Sequence, residues 1–141
     1  MTRWLNGLQP WGIFFLRLVL GTAMVYHGWS KVIPAGGPFH HNATAALDHF
    51  SHYIVSLGLP PWMGYLSALT EFVGGILVLV GLFTRFAAFM IAGNLIVALL
   101  YVNIHHGYAG SEYTLALLAM AFLLMLAGAG KLALDRKIGF V

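Results

Sequence analysis

The sequence predicts an all-α membrane protein, a bundle of four transmembrane helices with a short amphipathic helix at the membrane surface. The chain has 141 residues, of which 60% are hydrophobic and only 8% are charged. A soluble domain carries about 25% charged residues, so too few polar side chains remain here to cover a water-facing surface. Four apolar stretches also have about 20 residues each, the length that a hydrocarbon core of roughly 30 Å requires.

Each apolar stretch is interpreted as a helix, because a backbone in lipid must satisfy its own hydrogen bonds. Within a single domain of residues 1–141, we expect the spans at residues 11–33, 62–82, 86–104 and 113–134. The short links at 81–85 and 105–111 predict antiparallel neighbours. Ser111 is expected to cap the fourth span, with Glu112 in its first turn.

The link at residues 34–61 is longer and has a helical pattern of its own. It opens with a run of proline and glycine that breaks the first span. From Asn42 or Thr44 to about Leu57, apolar residues then recur at helical spacing, with Asp48 and two histidines on the opposite face. This pattern predicts an amphipathic helix on the membrane surface or across the mouth of the bundle.

The basic residues predict the orientation of the chain. With four spans, one side of the membrane holds both termini, and five of the seven Lys and Arg residues fall on it: Arg3, Arg85, Lys131, Arg136 and Lys137. The opposite side has Lys31 alone. Both termini are therefore expected to be cytoplasmic, with the long link on the outer side.

Two opposite charges, Arg17 and Glu71, lie inside apolar spans. A charge at the centre of a bilayer costs from about 2.5 kcal/mol to roughly 10 kcal/mol or more, depending on the scale. We therefore expect the two to pair between the helices and to form the centre of a functional site. The alternatives are that Arg17 extends to the headgroups, or that the pair is structural and has no chemical role.

Further polar candidates share helix faces with these charges. Arg17, His27 and Lys31 lie on one stripe of the first span, with Lys31 alternatively extending to the outer surface. In the third span Asn94 shares a stripe with Ala98, Tyr101 and His105, and an amide there is typical of a hydrogen bond between helices.

Other classes of site are weakly supported or excluded. The chain has no cysteine, which excludes disulfides and thiolate chemistry within it, and its scattered basic residues give no support for nucleic-acid binding. The weak metal candidates are His49, His52, His105 and His106, beside a further pair at His40 and His41. No HExxH motif accompanies them, and solvated or headgroup-contacting histidines are the alternative.

Several short motifs, taken in order, resemble the DoxX family of small bacterial membrane proteins. The first span reads LRLVLG and then HGWSK, the second EFVGG and then GLFTR, and the fourth ends in GAGKLALD. The resemblance covers nearly the whole chain and implies a four-helix fold in the bacterial inner membrane. The family's motifs map onto these positions: Arg17, His27, Gly28, Lys31, Glu71, Gly74, Gly75, Arg85 and Glu112.

The resemblance also implies a link to redox metabolism, because a small subunit of a thiosulfate:quinone oxidoreductase carries the family name. The first hypothesis is thus a membrane subunit that binds a quinone or similar apolar ligand and works with a partner oxidoreductase. Arg17, His27 or Asn94 would hydrogen-bond the quinone carbonyls, and Glu71 or a histidine would exchange protons. Lys31 and Glu112 complete the candidate cofactor-binding residues.

Two other classes of function remain open from the sequence. The chain is alternatively a non-catalytic anchor or assembly subunit of a larger complex, in which the charged pair only locks the bundle. A small transporter is the third option, although no inverted repeat is evident. Besides membrane lipid, the expected partners are protein subunits or further copies of the chain, since its glycine-rich faces permit a homo-oligomer.

Overall fold

A computed structural model of the chain describes residues 3–37 and 44–139, and these ranges contain helices but no strand. The α-helices in chain order are α1 (Arg3–Val32), α2 (Ala45–Ser56), α3 (Pro61–Val80), α4 (Thr84–Tyr101), α5 (Gly107–Ala127) and α6 (Leu134–Ile138). A single 3₁₀ turn, Asn103–His106, connects α4 to α5. The prediction of an all-α fold is confirmed.

Four helical segments are long and apolar enough to cross a membrane: Leu5–Val32, Pro61–Val80, Thr84–Tyr101 and Asn103–Ala127. Large apolar side chains such as Phe15, Phe86 and Leu126 lie exposed on the outside of the bundle. Lipid tails, rather than water, suit such a surface. The chain is therefore a multi-pass membrane protein, and the number of candidate spans in the described residues is the four that the sequence predicts.

The fourth span differs from the prediction at both ends. The sequence predicts it at residues 113–134 with Ser111 as its cap, but α5 already begins at Gly107. The Ser111 hydroxyl instead donates to the carbonyl oxygens of Gly107 (2.8 Å) and Asn103 (3.0 Å). The helix ends at Ala127 because Gly128 and Gly130 take φ angles of 81° and 69°, which the helix cannot continue. Because apolar residues continue on both sides of these glycines, hydropathy alone does not reveal the end of the helix.

Helices α1 and α3 approach each other more closely than a side chain would allow. A Cβ atom added to Gly28 would lie 2.5 Å from the backbone nitrogen of Phe72, and one added to Gly75 would lie 2.7 Å from that of Val25. Only glycine fits at these contacts, as is common where membrane helices pack tightly. The contacts fix the register of α1 on α3 and bring the last turn of α1 beside Glu71.

The predicted helix in the long link is α2, which packs across the first turns of α3. The Ser51 hydroxyl donates to the carbonyl oxygen of Pro61 (2.9 Å), and the Tyr65 hydroxyl donates to Asp48 Oδ1 (2.6 Å). The Tyr65 hydrogen bond, followed by one from Thr44, lowers the pKa of Asp48. A carboxyl group whose pKa is lowered on folding stabilises the fold fully at pH values above its ordinary pKa, which is about 3.9. The contribution of this contact to stability therefore stays constant between about pH 5 and 8.

The two ends of the bundle are named here by the helices they hold. The α2 end contains α2 and the 3₁₀ turn, while the α6 end contains α6 and the turn between α3 and α4. At the α6 end, the Asp135 carboxylate accepts hydrogen bonds from the backbone nitrogens of Phe83 (2.7 Å) and Thr84 (2.9 Å). Asp135 therefore caps the start of α4 from a distant part of the chain.

Replacing Asp135 is expected to destabilise the bundle. In Asp135→Ala, the first N–H groups of α4 lose a buried, charged acceptor, and loss of such a cap costs about 0.5–2 kcal/mol. Thermal unfolding in mild detergent measures the loss, with the exposed Lys137→Ala as the matched control in the same helix. Equal stability of the two variants would contradict the capping role.

Candidate functional site

Arg17 lies at the α6 end, with only 1% of its surface exposed. Its Nη1 donates to the carbonyl oxygen of Ala129 (2.6 Å) and its Nη2 to that of Leu132 (2.9 Å). Both carbonyls belong to the segment that the glycine break frees from helical hydrogen bonding. The expected Arg17–Glu71 pair is therefore wrong, because backbone oxygens hold the guanidinium instead.

Glu71 pairs with Lys31, with 2.6 Å between Lys31 Nζ and Glu71 Oε2. Lys31 and Arg17 are 14 positions apart (31 − 17) on α1, which separates them by about 21 Å at roughly 1.5 Å per residue. A glutamate bonded to Lys31 is thus too far along the helix to reach Arg17. The alternative that Lys31 extends outward is also wrong, since its ammonium turns into the bundle.

Asn94 completes a polar cluster between three helices. Its Nδ2 donates to Glu71 Oε1 at 3.0 Å, so both carboxylate oxygens of Glu71 have a donor from a neighbouring helix. The predicted role of Asn94 in joining helices is confirmed. The Glu71 side chain is 9% exposed and that of Lys31 is 24% exposed, so the ion pair is largely shielded from its surroundings. Lys31 Nζ also lies 4.4 Å from the centre of the Phe50 ring, which adds a cation–π contact.

A cavity of about 420 Å³ lies beside this Lys31–Glu71–Asn94 cluster, between α2, α3 and α4. Its walls are mostly apolar and aromatic: Phe50, Tyr53, Ile54, Met63, Leu66, Phe89, Val97 and Tyr101. Phe89 and Leu66 are also exposed on the outer surface of the bundle, so the cavity borders the lipid. An apolar chamber with a few convergent polar groups is the usual form of a small-molecule site.

The structure brings together only some of the predicted site residues. Lys31, Glu71 and Asn94 meet at the cavity, whereas Arg17 lies at the opposite end of the bundle. His27 is exposed, with its Nε2 3.3 Å from the Tyr113 hydroxyl, and it lines a separate cleft beside α1. Glu112 is exposed on α5 and does not line the cavity.

Some lining residues were not identified from the sequence. Phe89, Gly93 and Val97 recur every four positions, so they form one stripe along α4 beside Asn94. Gly93 has open space around its Cα, because a Cβ added there would meet no atom within 4 Å. The repeat of four was visible in the sequence, but nothing in it indicated that this face borders a cavity.

The histidines do not form a metal cluster in the part of the chain that the structure describes. Within residues 3–37 and 44–139, no group of three or more His, Cys, Asp or Glu side chains is arranged to hold a metal ion. His49 and His52 are exposed on α2, and His105 and His106 are exposed in the 3₁₀ turn. His40 and His41 lie outside the described residues.

This geometry defines a class of protein: a small four-span membrane protein with a shielded ion pair beside a lipid-bordering cavity. The chain belongs to the DoxX family, which it matches over residues 12–104. It is 33% identical over 125 residues to a Bacillus subtilis (strain 168) protein named "Putative oxidoreductase CatD", covering 88% of this chain and 84% of that protein. No solved structure matches the chain significantly.

A charge swap distinguishes the observed pair from the one expected first. Lys31→Glu or Glu71→Lys alone places two like charges together and removes a charge-assisted hydrogen bond, which contributes about 1.5–3 kcal/mol. The double variant restores an opposite pair and is expected to recover part of that stability. Thermal unfolding in mild detergent measures the stability of each single variant and of the double variant.

The matched control is Arg17→Glu combined with Glu71→Arg. That swap is expected to recover no stability, because Arg17 and Glu71 have separate partners at opposite ends of the bundle. If it restored stability while the Lys31–Glu71 swap did not, the pairing described here would be incorrect.

Proposed function

We propose that this chain is a redox-linked membrane subunit that binds an isoprenoid quinone, or an apolar ligand of similar chemistry, in the cavity beside Glu71. The observation that carries the proposal is the combination of a lipid-bordering apolar chamber with the shielded carboxyl group of Glu71. The relative named as an oxidoreductase supports the redox link.

The shape and lining of the cavity suit a ring with an apolar tail. Its volume of about 420 Å³ lies within the usual range of roughly 300–1,000 Å³ for small-molecule sites. Phe50, Phe89 and Tyr101 supply aromatic faces against which a planar ring packs favourably. A ligand dissolved in the membrane would enter from the lipid side past Leu66 and Phe89, without crossing the bundle.

The polar cluster supplies donors and a proton acceptor. Lys31 has three N–H donors and Asn94 has two, and each uses one on Glu71. The remaining N–H groups are available to a ligand carbonyl, and the Glu71 carboxylate accepts or returns a proton at its oxygen. A quinone, when bound, supplies the electron acceptor, since its conversion to the quinol takes up two electrons and two protons.

The electrons in this proposal come from a partner oxidoreductase subunit. The sequence contains no cysteine and no recognised cofactor motif, so the chain offers binding and proton exchange rather than an electron carrier of its own. The partner is expected to remain with the chain on purification from native membranes in mild detergent. A large assembly that retains the chain but houses its cofactors entirely in other subunits would favour the anchor function. A ligand-free homo-oligomer would weaken both and favour the transporter.

The sharpest test fills the cavity without disturbing the fold. Gly93→Leu places a side chain in open space within the cavity, and leucine is also the better helix former by about 1 kcal/mol. The variant is expected to fold normally and to lose affinity for a short-chain quinone analogue by about tenfold or more. Ligand-induced thermal stabilisation in detergent measures both properties.

Gly12→Leu is the matched control, because that glycine also has open space around it and lines neither the cavity beside Glu71 nor the cleft beside α1. It should bind the analogue as the unmodified protein does. Quinone binding that survives in Gly93→Leu, or that is absent from the unmodified protein, would rule out this cavity as the site.

We further propose that the α6 end faces the cytoplasm of a bacterium, with the protein in its inner membrane. Basic residues concentrate at that end, which supports this orientation through the positive-inside rule. Since the chain has no cysteine, single cysteines introduced at Lys137 and His106 are clean reporters. In intact cells a membrane-impermeant thiol reagent is expected to label position 106 alone, and labelling of position 137 alone would reverse the orientation.

A further inference from the structure

Another cleft, of about 270 Å³, lies at the α6 end of the bundle. It is separate from the cavity beside Glu71 and from the cleft lined by His27. Two arginines, Arg85 of α4 and Arg136 of α6, line it together with Gln9 and Ile13 of α1. The glycine break after α5 forms another wall, where a Cβ added to Gly128 would lie 3.3 Å from Arg85 Nε. The cleft thus joins the ends of three spans and α6 around two guanidinium groups.

Both arginines are available to a ligand. Among the described residues, neither Arg85 nor Arg136 has a hydrogen bond, an ion pair or an aromatic ring as partner, and both side chains are exposed. Each guanidinium offers five N–H donors in a planar fork that matches the oxygens of a phosphate or carboxylate. Two such groups lining one cleft can form a site for an anion.

Within residues 3–37 and 44–139, the acidic residue of the cleft, Asp135, forms no ion pair with either arginine. Both carboxylate oxygens of Asp135 are occupied by the backbone nitrogens of Phe83 and Thr84. Asp135 is also close enough to Arg17 for their charges to interact, so the two offset each other. The positive charge of Arg85 and Arg136 therefore remains for a bound group.

We propose that this cleft binds the phosphate of an anionic phospholipid headgroup. The cleft is at the depth of lipid phosphates, because α3 and α5 end beside it at Val80 and Ala127 and α4 begins there at Thr84. Basic pockets between helix ends are a recognised way of holding such headgroups. Ile13 supplies an apolar surface for the first part of the lipid chain.

The test measures binding of phosphatidylglycerol to the detergent-purified protein by native mass spectrometry. Arg85→Gln combined with Arg136→Gln is expected to lower its affinity by about tenfold or more, because the charge-assisted hydrogen bonds to phosphate are lost. Lys137→Gln is the matched control, since it removes one positive charge from α6 at a residue that does not line the cleft. It should change the affinity less than about twofold. Arg85→Lys keeps the charge but loses the planar fork, so its lipid affinity should lie between that of the double variant and that of Lys137→Gln.

Three results would overturn the proposal. Equal losses in the double variant and in Lys137→Gln would show that only general surface charge attracts the lipid. Equal binding of phosphatidylcholine would show that net headgroup charge is not recognised. Full displacement by inorganic phosphate at low millimolar concentration would make the cleft a free-phosphate site rather than a lipid site. Thermal unfolding of each variant confirms that the comparison is made between folded proteins.

Discussion

The close approach of α1 and α3 is the packing interaction on which both ends of the bundle depend. Gly28 lies against the backbone of Phe72 and Gly75 against that of Val25, so closely that a Cβ atom on either glycine would collide with the neighbouring helix. The same register places Lys31 beside Glu71 at one end of α1 and Arg17 beside the segment after α5 at the other. Packing of small residues therefore decides which polar groups meet, and charge then stabilises the result.

The distribution of charge follows from the cost of leaving an ion unsatisfied in an apolar medium. Glu71 has a cation on one oxygen and an amide on the other, while Arg17 has two carbonyl oxygens and no direct carboxylate bond among the described residues. An arginine can be held by carbonyls because its charge is delocalised and weakly hydrated, whereas a carboxylate requires donors. The bundle consequently keeps its acid near the cavity and its buried arginine near the opposite surface.

The helical spans and α2 could be predicted from the sequence, because hydropathy and helical spacing depend on local composition. The partners of Arg17 could not be predicted, since they depend on the rotation of α1 about its axis and on the end of α5 at Ala127. Hydropathy does not reveal that end, because apolar residues continue beyond it. For the candidate site, Lys31, Glu71 and Asn94 were identifiable as polar residues in apolar helices. Their contacts with one another could not be predicted, because the position of a residue along its helix does not show which helix faces pack together. The capping role of Asp135 was missed for the same reason, since its partners lie 52 and 51 residues earlier in the chain.

The hydrogen bonds of Arg17 have a consequence for the order of assembly during synthesis. The acceptors at Ala129 and Leu132 lie 112 and 115 residues after the arginine, and chains are made and inserted from the N-terminus. When the first span enters the bilayer, its guanidinium has neither of its carbonyl acceptors. Until they are made, we expect it to remain among headgroups, water or the insertion machinery. We therefore expect the first span to reach its final depth only after the segment beyond the fourth span has been synthesised.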